Sequence, residues 1–406
     1  MLPTHRLSAL LTALTISATL IPPTPAYADQ NGLDVFAGTG TAGATGDGGP
    51  ASAALLNHPT GVAVAGDGTV YISDGGNRRV RRVAPDGTIS TVAGTGRAGT
   101  AGDAVPDGTP GDQVDLLLPQ SLAVGSDNTL YISDPGLYRI FRLSPDGRLS
   151  VFAGTGVPGL IGDGGPAIRA SFGQLGGLAV APDGTVYIGD LRTHRVRAVS
   201  PAGEISTVAG NGNGQITAAG GPATTVALPN PSSLSVDAGG AVWIGTGLTV
   251  HRLSGGKLAT VTLPDQPDGG RWGLSEAATW PLPESPLTNV AAVSAVGDQV
   301  YLLDQQSRTV LRLGTGDALE TVAALDSAEG PVAGPVAVAA AGAAYLVDNA
   351  SHRVYSFRPT APRPDGPDGP DGPDDGSSVP WWPFAVAGAL VIAIGAWLFA
   401  RRRRAH

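Results

Sequence analysis

The fold is decided by the stretch from His58 to Gly96, HPTGVAVAGDGTVYISDGGNRRVRRVAPDGTISTVAGTG. Apolar and β-branched residues alternate with polar ones in four short runs, which predicts strands over residues 61–65, 69–73, 79–83 and 88–93. Turn residues separate these runs, with Gly-Asp-Gly at 66–68, Pro-Asp-Gly at 85–87 and a longer connection at 74–77. The stretch is therefore a four-stranded antiparallel meander that must pack against further copies of itself.

Copies follow at regular spacing along the chain. The aromatic residue of the second strand recurs at intervals of 60, 56, 56, 58 and 44 residues, which is typical of a radial array of blades. These markers are Tyr71, Tyr131, Tyr187, Trp243, Tyr301 and Tyr345. Six copies predict an all-β fold, a six-bladed β-propeller of four-stranded antiparallel blades, with five or seven blades as the alternatives.

Two charged positions recur with the repeat. An aspartate ends the second strand in five copies, at Asp74, Asp134, Asp190, Asp304 and Asp348, and the fourth copy has Thr246 instead. An arginine follows five residues later in four copies, at Arg79, Arg139, Arg195 and Arg353. A carboxylate at a strand end accepts backbone N–H bonds or pairs with the following arginine. Recurrence in several blades indicates that both positions are structural.

The two ends of the repeat array complete each other. The sixth copy stops after its third strand, at residues 355–357, while residues 33–40 are a near copy of the fourth strand at 149–156. We therefore expect the N-terminal strand to close the last blade, which removes the free sheet edges of an open array.

At residues 59–80, the patterns Pro-x-Gly-Val-Ala-Val, Gly-Thr-Val-Tyr-Ile-Ser-Asp and Asn-x-Arg-Val resemble those of NHL-repeat β-propellers. The linker with Gly-Thr-Gly at 38–40 and Gly-Asp-Gly-Gly-Pro-Ala at 46–51 is similar to the bacterial and teneurin-type variant. The resemblance covers roughly residues 33–358 and implies the fold. NHL propellers serve as ligand-sensing, protein-binding, RNA-binding and, in related propellers, enzymatic modules, so function must be argued from a site.

The termini predict export and anchoring. Residues 1–28 read as a signal peptide, with Arg6, an apolar run and the small-x-small site Ala26-Tyr27-Ala28. Residues 361–380 form a Pro/Asp/Gly linker, residues 381–400 an apolar run of transmembrane length, and residues 401–406 a basic tail. The arginines at 401–404 must stay inside, so we expect a single-pass membrane protein with an extracellular propeller, residues 29–360.

Composition and net charge indicate the kind of source organism and limit the classes of partner that the chain can bind. The chain has no cysteine, and its 406 residues contain one lysine, Lys257, among 25 basic residues, which favours a GC-rich bacterial source such as an actinobacterium. Leaving the five arginines of the two terminal segments out of the formal net charge of −9 gives −14 for the exposed part. That charge repels phosphate backbones, so we expect no nucleic-acid partner.

Long connections between the blades mark one end of the ring as the binding end. They are linkers 1 to 5, at residues 38–57, 94–118, 154–174, 210–227 and 264–288, and long loops on a rigid frame are where binding is usually placed. In three of them Gly-Gly-Pro-Ala predicts a helical turn with Pro50, Pro166 or Pro222 as its first residue. These turns either fill the gaps between blades or form a binding rim. The opposite end has only short hairpins, which we expect to be too short for a pocket.

Candidate chemistry is sparse. The loops at 46–49 and 162–165 carry one carboxylate each, against the roughly six to eight oxygens that calcium takes. His194 and His352 occupy the same repeat position in opposite blades, and the spacing shows no nucleophile, base and carboxylate triad. We therefore assign no catalytic residue, metal or cofactor.

The binding residues that we predict at the long-loop end are Asn77, Tyr138, His194, Arg271 and Trp272, with Trp272 as the anchor. The sequence favours a membrane-tethered, non-catalytic module that binds an extracellular protein or small ligand, and any signalling requires a membrane partner. The alternatives are an extracytoplasmic lyase- or hydrolase-like enzyme with a site at the ring axis, and a purely structural surface protein.

Overall fold

The computed structural model describes residues 33–215, 221–247, 249–262, 273–275, 290–304, 309–313, 319–324, 336–338 and 342–358. The chain divides into two units, residues 1–361 and 362–406, and every described residue lies in the first. The predicted signal peptide, the Pro/Asp/Gly linker, the apolar run at 381–400 and the basic tail lie outside these ranges. Within the ranges, no helix combines the length and hydrophobicity needed to cross a membrane.

Six antiparallel sheets make up the described part. The first strand, β1 (Asp34–Ala37), belongs to the last sheet. Blade 1 contains β2 (Pro59–Val64), β3 (Val70–Asp74), β4 (Arg79–Val83) and β5 (Ile89–Ala93). Blade 2 contains β6 (Thr109–Pro110), β7 (Leu122–Val124), β8 (Leu130–Asp134), β9 (Arg139–Leu143) and β10 (Arg148–Ala153). Blade 3 contains β11 (Gly165–Pro166), β12 (Leu175–Val180), β13 (Val186–Asp190), β14 (Arg195–Val199) and β15 (Glu204–Ala209).

The other three blades follow the same plan. Blade 4 contains β16 (Ser233–Val236), β17 (Val242–Gly245), β18 (Val250–Ser254), β19 (Lys257–Thr262) and β20 (Gly273–Ser275). Blade 5 contains β21 (Val290–Val296), β22 (Gln299–Asp304), β23 (Thr309–Leu313) and β24 (Leu319–Ala324). Blade 6 contains β25 (Val336–Val338), β26 (Ala344–Asp348), β27 (Arg353–Phe357) and β1. The predicted six-bladed, all-β propeller is confirmed, but four strands per blade are found only in blades 1, 5 and 6, because a short strand from a linker adds a fifth to each of blades 2, 3 and 4.

The hydrophobic core lies between the blades. Six clusters of buried residues occupy the six blade-to-blade interfaces. One of them joins Val80 and Ala93 of blade 1 to Ile132 and Phe141 of blade 2. Each blade is apolar on both faces for this reason, and burial of those faces is the main favourable term in folding.

The N-terminal strand closes the ring as predicted. β1 pairs antiparallel with β27, with Val35 opposite Tyr355 and Ala37 opposite Val354. Ala37, Val347 and Val354 then pack in one cluster with Val62 and Ile72 of blade 1, so the seam between the last and first blades is as buried as the other interfaces.

The linkers do not stay at the long-loop end. In linker 1, the amide of Gly48 donates to Ile89 and the amide of Ala51 donates to Gly87, which lies in the hairpin before β5. Linkers 2 and 3 repeat these contacts through Gly111 and Ala167. The expectation that the linkers share one face is therefore wrong for their middle parts, which descend along the outer strand and fill the gap beside it.

The turns within the linkers also differ from the prediction. Residues Ala51–Ala53, Gly111–Gln113 and Ala167–Arg169 form 3-10 turns, and a fourth 3-10 turn, Gly75–Asn77, follows β3. Pro50 and Pro166 precede the first helical residue with extended backbone angles instead of occupying it. Linkers 1 to 4 each begin with a glycine that the frame requires. At Gly94, where φ is +91°, a Cβ atom would lie 2.1 Å from the carbonyl oxygen of Arg78.

Candidate functional site

The recurring aspartates anchor the long-loop end. Asp134 is buried and accepts backbone N–H bonds from Leu117, Leu118 and Leu137 at 2.8, 3.0 and 3.1 Å. Asp190 accepts the equivalent bonds, the nearest from Gly173 at 2.9 Å. Burial raises the pKa of Asp134, and the backbone donors oppose that rise. The carboxylates fix where each linker enters its blade.

The recurring arginines hold neighbouring linkers together. Arg79 donates to the carbonyl of Ala44 in linker 1 and to that of Thr95 in linker 2, both at 3.2 Å. Arg139 makes the same bridge to Asp103 and Thr155. The alternative in which Asp74 pairs with the following arginine, Arg79, is not what the structure shows. Its guanidinium partner is Arg81, at 3.3 Å.

Arg81 is the buried cation that the sequence analysis missed. Its side chain is fully buried, and it donates to Asp47 at 2.6 Å, while Thr91 donates to the other oxygen of Asp47 at 2.7 Å. Partial burial would raise the pKa of Asp47, but the bonds from Thr91 and Arg81 hold it below its usual value. The Gly-Asp-Gly-Gly loop considered for calcium therefore directs its carboxylate at an arginine.

Blade 3 repeats this arrangement. Arg197 is fully buried, contacts Asp163 at 2.6 Å and lies 5.8 Å over the ring of Phe172, and Thr207 donates to Asp163 at 2.7 Å. A usable signal was present in the sequence, because blades 1 and 3 share both the Gly-Asp-Gly-Gly-Pro-Ala linker and an arginine two residues after Arg79 or Arg195. In blade 2 the arginine position holds Phe141.

Blade 4 places a histidine at this position. His251 is buried between the hydroxyl groups of Thr249 and Thr260, at 2.8 and 3.0 Å. Burial lowers the pKa of His251 to about 4, so the imidazole is neutral at physiological pH.

Three of the predicted binding residues, Asn77, Tyr138 and His194, are among the residues that the structure describes. Each lies at the long-loop end, and each belongs to a different blade. Asn77 donates to the carbonyl of Gly43 and to Asp74, so it takes part in the frame of blade 1. Tyr138 and His194 have left-handed backbone conformations, with φ of 51° and 54°. The Nδ1 atom of His194 accepts from the amide of Asn230 at 3.4 Å. The structure does not bring these residues into one site. Arg271 and Trp272 lie outside the described residues.

His352, the counterpart of His194, belongs to the ring seam. Its Nδ1 atom accepts a hydrogen bond from the amide of His58 at 3.0 Å, and the two rings meet edge to face with centroids 4.7 Å apart. Arg353 adds a bond to the carbonyl of Thr39 at 3.0 Å. These contacts join the last blade to the first linker.

An exposed aliphatic patch in linker 3 was also missed. Val157, Leu160 and Ile161 are 60, 39 and 65% exposed. They lie at the long-loop end of the ring, where Phe172 leads into β12. Linker 1 has the same backbone contacts, since Gly43 bonds Leu56 as Gly159 bonds Phe172. Its residues at the three patch positions are Thr41, Ala44 and Thr45. The fold therefore does not require aliphatic side chains there, and we call Val157, Leu160 and Ile161 the linker-3 patch.

Comparisons with known proteins agree with the fold. Residues 29–158 match the family model of the Teneurin NHL domain. Human Teneurin-4 is 32% identical over 225 residues, which are 49% of this chain and 8% of that protein, and Teneurin-m of Drosophila melanogaster is 33% identical over 175 residues, 41% and 6% of the two chains. The chain thus spans less than a tenth of these relatives. Among solved structures, a structural genomics protein of unknown function from Bacteroides thetaiotaomicron has a TM-score of 0.53 at 13% identity, covering 80% of this chain and 75% of that one.

Proposed function

The chain folds as an NHL-repeat β-propeller, and from that premise we propose that it is a non-catalytic module that binds a protein partner at the long-loop end of its ring. The observation that carries the proposal is the linker-3 patch. Three aliphatic side chains are exposed on linker 3. Linker 1, which makes the same backbone contacts, has two threonines and an alanine at those positions. Exposed apolar surface that the fold does not need is typical of protein interaction sites.

The roles of the repeat side chains support binding over catalysis. Asp134 is surrounded by three backbone donors, and Arg79 and Arg139 each bridge two linkers. Asn77 is likewise bonded to its own frame. These groups keep the linkers in place, so the long-loop end is a rigid platform on which a partner can dock with little loss of conformational entropy.

The cellular setting is part of the same proposal and depends on the sequence of the termini. The signal peptide at 1–28, the apolar run at 381–400 and the arginines at 401–404 favour an exported propeller on a single membrane span. The net charge of −14 that remains outside the two terminal segments favours a neutral or basic partner and opposes nucleic acid.

The test is crosslinking on intact cells that express the full-length chain. The triple variant Val157→Thr, Leu160→Ala, Ile161→Thr gives linker 3 the residues of linker 1 at the patch and keeps the backbone contacts. We expect it to lose the crosslinked partner that the parent chain captures, since a buried hot spot contributes about 2 kcal/mol or more.

Two further variants locate the site. Asp146→Ala, in the hairpin before β10, is the control and should capture the partner like the parent. Trp272→Ala tests the anchor that the sequence predicts. Loss of capture in Asp146→Ala with full capture in the triple variant would contradict the proposal, because binding would then occur at the hairpin end.

A further inference from the structure

An open pocket of about 370 Å³ lies at the hairpin end of blade 2. Tyr131, Arg142 and Ser150 line it as neighbours across β8, β9 and β10, because Tyr131 is paired with Arg142 and Arg142 with Ser150. Asp107 and Asp127 complete the polar wall. The expectation that this end of the ring is too short for a pocket is therefore wrong.

The pocket owes its shape to extra residues in linker 2. Residues 94–118 number 25, whereas the equivalent stretches 38–58 and 154–174 number 21 each. Gly99 and Gly111 make the backbone contacts of Gly43 and Ala51, so the four extra residues lie between them, and alignment of the Gly-Asp pairs at 46–47 and 102–103 assigns them to 104–107. They bring Asp107 into the wall of the pocket that Tyr131, Arg142 and Ser150 also line.

Several lining groups are already bonded within the protein. Arg148 donates to the carbonyl of Gly108 at 2.8 Å and lies 3.6 Å from Asp146. Asp127 accepts from the amide and the hydroxyl of Thr129 at 3.0 and 2.8 Å. These bonds fix the walls of the pocket.

Other groups that line the pocket are not bonded within the protein. Among the residues that the structure describes, the guanidinium of Arg142, the hydroxyls of Ser150 and Tyr131 and the carboxylate of Asp107 have no hydrogen bond or ion pair. Ser150 as a whole is only 8% exposed, and its hydroxyl faces the pocket without a hydrogen-bond partner in the protein. Such a hydroxyl can both donate a hydrogen bond to a ligand and accept one from it.

The neighbouring blades lack the complete set. Blade 3 has Tyr187 and Ser206 but replaces the arginine with Ala198. Blade 1 has the full row, Tyr71, Arg82 and Ser90, but linker 1 lacks the four extra residues. Of blades 1 to 3, blade 2 alone combines the cation, the two hydroxyls and the additional carboxylate.

We infer that this pocket binds a small hydroxylated carboxylate, with a hexuronic acid as the representative ligand. The planar guanidinium of Arg142 can pair with a carboxylate through two parallel hydrogen bonds. Ser150 and Tyr131 can donate to ring hydroxyls of the ligand, and Asp107 can accept from them. Arg148 is already paired with Asp146, so Arg142, whose charge also lowers the pKa of Asp127, is the guanidinium that can take the ligand carboxylate. The volume lies at the small end of known ligand sites, which begin at about 300 Å³.

Calorimetric titration of the full-length chain with D-glucuronate, D-glucose and inorganic phosphate tests the inference. We expect glucuronate to bind at least roughly tenfold tighter than either glucose or phosphate, because each of those lacks one of the two features that the pocket recognises. Arg142→Gln and deletion of residues 104–107 should each weaken glucuronate binding roughly tenfold or more.

The equivalent change in blade 1, Arg82→Gln, is the matched control and should leave glucuronate binding unchanged. Arg142 is exposed, so its variant keeps the core intact, and an unchanged melting temperature verifies this. Phosphate binding as tight as that of glucuronate, or no glucuronate binding by the parent chain, would overturn the inference. Unchanged glucuronate binding in both Arg142→Gln and the deletion variant would do so as well.

Discussion

The guanidinium of Arg81 lies 2.6 Å from the carboxylate of Asp47, so a residue of the third strand of blade 1 holds the linker that leads into the same blade. Arg81 is completely buried and also contacts Asp74 at 3.3 Å. Blade 3 repeats the relationship with Arg197 and Asp163 at 2.6 Å. An arginine–aspartate pair of this kind therefore holds the linker against its blade in both blade 1 and blade 3.

The first prediction concerns this pair. Asp47→Ala leaves the buried Arg81 with Asp74 as its charged partner and should lower the free energy of unfolding by about 1–3 kcal/mol. Arg81→Phe introduces the residue type that blade 2 has at this position, leaves Asp74 buried without its cation and should cost about 3–5 kcal/mol. Because Asp47 acts through Arg81, the double variant Asp47→Ala, Arg81→Phe should lose clearly less free energy of unfolding than the two single variants lose together. Chemical unfolding followed by circular dichroism measures all three values.

Asp163→Ala provides the control for that cycle. Combined with Arg81→Phe, it should be additive, because the two changes lie in different blades and share no partner. Additive losses for Asp47→Ala and Arg81→Phe would show that the short contact between these two residues contributes no coupling.

The second prediction concerns pH and His251. Its pKa is about 4 in the folded protein and 6.5 in the unfolded chain, so the unfolded state binds the proton more readily between these values. The free energy of unfolding therefore keeps its full value above about pH 6.5. It decreases as the pH falls towards 4, by about 3 kcal/mol in total, because the unfolded chain takes up the proton first.

His251→Phe should reduce this loss of stability at acid pH, because the ring can no longer take up a proton. The measurement is chemical unfolding at about pH 7 and about pH 4.5 for both chains. Thr260→Val is the control, since it removes a hydrogen-bond partner but retains the buried imidazole, and it should keep the parental pH dependence. An equal pH dependence in parent and His251→Phe would contradict the prediction.

The third prediction concerns closure of the ring. Deleting residues 29–40 removes β1 and the carbonyl of Thr39 that Arg353 binds, and it exposes the edge of β27. We expect a loss of several kcal/mol, since Val35 and Ala37 lose their packing and a whole sheet edge is unpaired. Thermal unfolding measures the effect. Deletion of the twelve residues 363–374 is the control of equal length and should leave the melting temperature unchanged, whereas a ring deletion that melts like the parent would refute closure by β1.

The fourth prediction concerns topology. If the propeller is extracellular on a single span, protease added to intact cells should release a soluble fragment that ends within the Pro/Asp/Gly linker at 361–380. Immunoblotting of the medium detects that fragment. A chain without residues 381–400 should reach the medium without protease. Protection of the propeller on intact cells would exclude this orientation.

The sequence by itself determined the architecture. Strand alternation, Asp-Gly turns and the regular spacing of Tyr71 and its counterparts were sufficient for six blades, because each feature is local and the repeat multiplies it. The match between residues 33–40 and a fourth strand also located the closure before any contact was known. Local hydrogen bonding accounts for these successes, since a strand's period and its turns are set within a few residues.

Only the tertiary structure decided how distant residues meet. Asp47 and Arg81 are 34 residues apart, and His58 and His352 are 294 apart, so no local pattern could pair them. The path of linker 2 down to the hairpin end, which brings Asp107 to the pocket that Arg142 lines, likewise depends on backbone bonds to another strand. Contacts of this kind are fixed by how blades and linkers pack in three dimensions. A repeat therefore reveals the frame, while the side chains that gather on it become visible only once the ring is closed.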